Sequence, residues 1–101
     1  MSELGDKRRL FTWALSLLLK KMLDSGFGPM FGKDGLKHME HSLHYDGLAA
    51  DIDLTKDCIY LSETKDHQQF GEYWESLDKD CRWGGRWGDG NHYSVTMGGR
   101  K

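Results

Sequence analysis

Ala49-Ala50-Asp51-Ile52-Asp53-Leu54 alternates small or aliphatic residues with carboxylates. In an extended strand successive side chains point to opposite faces, so Asp51 and Asp53 share one face while Ile52 and Leu54 share the other. The aliphatic face can pack on a core and the acidic face can open onto a cleft. Thr55-Lys56-Asp57 then reads as a turn into a second strand over residues 58–61, which makes a hairpin. With helical patterns on either side, the expected class is α+β: one small domain over residues 1–101, a short antiparallel sheet flanked by two main helices.

Upstream, residues 6–25 repeat apolar side chains at helical spacing through Leu10, Trp13 or Ala14, Leu17, Leu18 and Met22, with Lys7, Arg8, Lys20 and Lys21 as polar positions. Gly26 is a natural left-handed cap for this helix. The cations gather at its ends, which favours a core helix over a membrane-surface helix. Arg8-Arg9 before the apolar run 10–19 mimics the start of a secretion signal. However, Lys20-Lys21 follows directly, no small-x-small cleavage site appears, and the run is far short of the roughly 20 residues of a membrane span. No signal peptide and no stable membrane association are therefore expected. Residues 26–43 are glycine-rich and aperiodic, a loop with room for a short strand around Met30 and Phe31.

Downstream, residues 66–77 read as the second helix. Asp66 and Gln69 resemble a capping box, and Phe70, Tyr73, Trp74 and Leu77 form a stripe that reads as core rather than as a sugar-binding platform. His67, near the helix start, reads as a surface residue. Residues 83–90 are a glycine-punctuated loop. Residues 92–97 alternate again, His92, Ser94 and Thr96 facing one way and Tyr93, Val95 and Met97 the other.

With 38% hydrophobic and 30% charged residues the chain has the composition of a folded domain, not of a disordered segment. A net charge of −2 without a basic stripe argues against nucleic acid as a partner, and a monomer is expected. Cys58 and Cys81 form no CxxC pair. They read as two reduced buried thiols or one bridge rather than as metal ligands.

Two short stretches carry chemistry. His44 and Asp51 lie seven residues apart, and Asp89 and His92 three apart near the other end. A catalytic zinc site needs three protein ligands and an open position, and His44, Asp51 and His92 supply such a set from a loop and two strands, on the polar face of the sheet. Asp89 is left over to handle a proton. His38 and His41 repeat with His44 every three residues, but no HExxH or HxxEH pattern results, and both read as loop residues. Asp51, Asp53, Thr55 and Asp57 imitate the start of a calcium loop, yet Lys56 stands where glycine is needed and Ser62 where the closing glutamate belongs, so that reading fails. Trp83 and Trp87 read as packing residues that hold the loop carrying Asp89, though either could line the cleft.

The motif His-x-x-Gly-x-Ala-x-Asp at His44, Gly47, Ala49 and Asp51, preceded by Ser42 and followed by Trp-Gly-Gly-x-Trp and Asp-x-x-His, resembles the M15 peptidases. These are the D-alanyl-D-alanine and L-alanyl-D-glutamate peptidases of peptidoglycan stem peptides. The likeness covers residues 42–95, including the helix over 71–77, and is greatest to the phage and prophage endolysin branch. It implies zinc held at His44, Asp51 and His92, Asp89 as general base, and Ser42 near the substrate. The implied activity is zinc-dependent hydrolysis of stem peptides, as an L-alanyl-D-glutamate endopeptidase or, alternatively, a D-alanyl-D-alanine carboxypeptidase. A third reading is a non-catalytic cell-wall or metal-binding module of the same fold. Such an enzyme would stay in the host cytoplasm until a membrane-permeabilising partner releases it to the cell wall. Relatives generally carry an arginine upstream that grips a substrate carboxylate, whereas residues 26–43 hold only Lys33 and Lys37 as cations. Lysine lacks the bidentate fork.

Overall fold

A computed structural model describes residues 3–31 and 47–97 of the chain. Helix α1 (Glu3–Asp24) buries Phe11, Ala14, Leu18 and Met22, one stripe at helical spacing. Of the two expected alternatives, Ala14 lies in the stripe and Trp13 does not. The indole sits about 100° further round the helix and is 49% exposed. Ser25 and Gly26 close the helix as anticipated, with Gly26 at φ +89°. The Phe27 N–H reaches back to the Met22 carbonyl at 2.9 Å and the Gly26 N–H to Leu23 at 3.0 Å, a Schellman cap that satisfies two end carbonyls.

Strand β1 (Gly28–Phe31) follows, at the place where a short strand was expected. Strand β2 (Ala49–Lys56) is the centre of the sheet, burying Ala50, Ile52 and Leu54 while Asp51, Asp53 and Thr55 stay half-buried. It runs two residues past the expected end, because the reversal is made by Asp57 and Cys58 alone, at φ 53° and 66°, and not by residues 55–57. Positive φ at both central positions gives a turn whose twist matches that of the flanking strands. Strand β3 (Ile59–Leu61) therefore pairs Ile59 with Lys56.

A 3₁₀ turn at Thr64–His67 leads into helix α2 (Gln68–Leu77). Asp66 does cap, but backwards: its carboxylate accepts the Glu63 N–H at 3.1 Å, so the capping pair is Glu63 and Asp66 rather than Asp66 and Gln69. Phe70 and Trp74 are buried, and Tyr73 and Leu77 pack against the core. Trp74 donates its Nε1–H to the Ser94 carbonyl at 3.0 Å. Its ring meets Phe11 and Tyr93 edge-on at 5.9 and 5.8 Å between centroids, the geometry that aromatic quadrupoles favour.

Strand β4 (Cys81–Trp83) was not anticipated, since three residues are too few for alternation to register. It pairs with β5 (His92–Val95), and β5 pairs with β2. The result is a five-stranded antiparallel sheet in the order β1-β2-β5-β4, with β3 beside β2. The core residues of both helices cluster with Ala50, Ile52, Leu54, Tyr93 and Val95. A small α+β domain results, and among the described residues no helix is long and apolar enough to cross a membrane.

Two expectations are corrected by burial. His67 is not a surface residue: it is 2% exposed, with Nδ1 2.8 Å from the Tyr93 hydroxyl. Desolvation pulls its pKa down to about 4, because a charged imidazole would lose its water and the negative charges of Asp66 and Asp53 offset that loss only in part. Cys58 is exposed while Cys81 is buried, and both are free thiols. Burial pushes the Cys81 thiol up to about 12.

Candidate metal centre

The register between β2 and β5 sets Asp51 directly opposite His92. Directly opposed residues of an antiparallel pair point to the same face with Cβ atoms about 5 Å apart. His92 Nδ1 accordingly lies 3.5 Å from Asp51 Oδ1, with the imidazole largely covered and the carboxylate 22% exposed. Strand alternation had anticipated this shared face. It had not anticipated that β5 is covered on both sides: Ser94, on the same face as His92, is fully buried along with Tyr93 and Val95.

Asp89 arrives from a loop. After a 3₁₀ turn at Gly84–Trp87 the chain bends back, the Asp89 N–H donating to the Gly84 carbonyl at 2.8 Å and the His92 N–H to the Asp89 carbonyl at 3.1 Å. Gly84 permits this approach. A Cβ there would stand 2.2 Å from the Asp89 carbonyl oxygen and 2.7 Å from the His92 Cβ, so no larger residue fits without moving the loop. Trp83, 1% exposed, donates its Nε1–H to the Gly90 carbonyl at 2.7 Å and pins the far side. Its packing role is as expected. Trp87 is 42% exposed at the rim, its ring 5.7 Å from that of His92.

These constraints bring one ligand atom each from Asp51, Asp89 and His92 within 4.8 Å of one another. Donors bound about 2.1 Å from a tetrahedral ion sit about 3.4 Å apart, so small side-chain rotations suffice to close the group around a metal ion. One imidazole and two carboxylates also form a donor set that divalent ions accept. The three residues could therefore hold a metal ion. His44 and Ser42 lie outside the described residues, as do His38 and His41.

The same sheet face carries a second polar group that the sequence reading did not assemble. The Asn91 amide donates to Asp53 Oδ1 at 3.3 Å, and the Tyr60 hydroxyl donates to the same oxygen at 3.4 Å. The nearby Asp53 charge raises the Tyr60 hydroxyl above its ordinary value, by disfavouring a second negative charge. Only the parity of Asp51 and Asp53 was a signal for this group in the sequence. Compared with known protein families, curated proteins and solved structures, the chain matches none.

Proposed function

We propose that this protein is a zinc-dependent peptidase of peptidoglycan stem peptides, cutting the L-alanyl-D-glutamate bond. The observation that carries this reading is the convergence of Asp51 and His92 from paired strands with Asp89 from the adjoining loop, ligand atoms within 4.8 Å of one another. They occupy the positions of an Asp ligand, a general base and a His ligand in the motif that resembles the M15 peptidases. In the proposed site His44, Asp51 and His92 hold zinc. Zinc, when bound, supplies a Lewis acid that acidifies water and polarises a carbonyl oxygen.

The remaining work falls to the chain's own groups. A carboxylate oxygen of Asp89 accepts the proton of the attacking water and then delivers it to the nitrogen of the departing amine. Asp89 suits this role because it is exposed and reaches the cluster from a loop, so it stays open to water while Asp51 and His92 are fixed by the sheet. Burial of His92 restricts its ring and excludes competing water from that side.

Mass spectrometry of digested peptidoglycan tests the reaction. New N-terminal D-glutamate is the expected product. Released D-alanine would make the enzyme a D-alanyl-D-alanine carboxypeptidase, and zinc binding with no product would make it a non-catalytic module. Asp89→Asn is expected to lower kcat by about 10²–10⁴-fold with zinc still bound; full activity in that variant would remove Asp89 from its role.

A further inference from the structure

We infer that Trp83 is a positioning residue for the candidate metal centre: its indole N–H latches the loop that joins Asp89 to His92, and thereby sets how tightly and in what geometry a metal ion is held. This rests on Asp51, Asp89 and His92 holding a metal ion, and not on which bond is cut. Trp83 ends β4 opposite Tyr93 of β5, the neighbour of His92. The loop leaves from it, turns over Gly84–Trp87 and returns to β5. Asp51 and His92 are held by strand register, whereas Asp89 is exposed and owes its place to the loop.

Between Asp89 and His92 stands the Gly90 carbonyl, the acceptor of the Trp83 Nε1–H at 2.7 Å. Trp83 and Gly90 are both buried, so loss of this bond would strand a donor and an acceptor away from water. The ring itself has no room to shift. A Cβ at Gly71 of α2 or at Gly85 would overlap the indole, so both backbones lie directly against it. The Arg86 guanidinium covers the ring 5.4 Å from its centroid, and Arg86 is tied in turn to Glu75 of α2. Gly90 is also pressed against the turn before α2, where its Cβ would stand 2.5 Å from the Thr64 Cα. Helix α2 thus acts on the metal centre through Trp83, although none of its side chains belongs to the three-residue cluster.

The test is a zinc titration against a competing chelator, on the full chain as wild type, Trp83→Phe and Leu18→Ala. Trp83→Phe keeps an aromatic ring and loses the donor. It is expected to weaken zinc about tenfold and to change the visible spectrum of the cobalt(II)-loaded protein, which reports ligand geometry. Leu18→Ala destabilises the core from α1, outside the loop, and is expected to leave both unchanged. Equal losses in the two variants, or an unaltered affinity and spectrum in Trp83→Phe, would overturn the latch. A second measurement needs no substitution. Coupling is reciprocal, so zinc should slow hydrogen exchange of the Trp83 indole N–H about tenfold more than that of Trp74, which donates to the Ser94 carbonyl. Equal slowing of the two would also overturn it. A wild type that binds neither zinc nor cobalt would refute the metal centre itself, and the latch with it.

Discussion

Ile52 and Asp51 are neighbours in sequence and opposites in use. Ile52 is fully buried in the core, whereas Asp51 faces the candidate metal centre and keeps a fifth of its side chain in water. The same contrast runs along all of β2, with Ala50, Ile52 and Leu54 on the core side and Asp51, Asp53 and Thr55 on the other. One strand thus divides labour by parity. The core face supplies stability through burial of apolar area, and the other face carries the carboxylates of the candidate metal centre.

Substituting on each side is the direct way to break this contrast. Ile52→Ala should cost about 2–5 kcal/mol of unfolding free energy in urea titration, from lost burial and the cavity left behind. A cost well under 1 kcal/mol would mean that the core side is not what holds the sheet.

The next largest effect concerns His67, a polar group on the wrong side of the division. Its folded pKa of about 4 lies below the ordinary 6.5, so the fold holds the neutral ring. Above about pH 6.5 both states are neutral and nothing is lost. As pH falls from there toward 4, the unfolded chain takes up a proton that the folded chain refuses, and stability drops by up to roughly 3 kcal/mol. Urea unfolding of metal-free protein at about pH 7.5 and about pH 5 should show this drop, and His67→Gln should flatten it relative to wild type. Parallel profiles for the two proteins would exclude His67 as the cause.

On the polar face, Asp51→Ala should weaken zinc binding by about a hundredfold in a chelator competition, at least the cost of disturbing a group that only supports a ligand. The metal-free protein should lose less than about 1 kcal/mol of stability. Unchanged zinc affinity would dismantle the metal centre. The smallest effect separates the two thiols: a thiol reagent should modify exposed Cys58 in the folded protein and spare Cys81, buried and held protonated. Equal labelling would contradict the burial of β4.

How much of this was legible in the chain depended on how local each cause was. The cap at Gly26, the faces of β2 and the Ala14, Leu18 and Met22 positions of the α1 stripe were readable because they follow from side chains within a few positions of each other; Phe11, buried where Leu10 and Leu17 were expected, was not. The buried state of His67 was not, since it is created by Tyr93, 26 residues away. The same holds for Asp53, whose partner Asn91 is 38 residues away. Strand β4 was hidden because its pairing with β5, not its own pattern, makes it a strand.

The sequence by itself determined the α+β class, the sheet face to which Asp51 and His92 belong, and the residue types that could hold a metal ion. Periodicity and side-chain donor chemistry are properties of the chain before it folds. Only the tertiary structure decided that Asp51 stands opposite His92, that Asp89 joins them, and that Asp53 is gripped by Asn91 and Tyr60. Strand register and loop closure over Gly84 set those distances, and both are chosen by packing across the whole core rather than by any one segment.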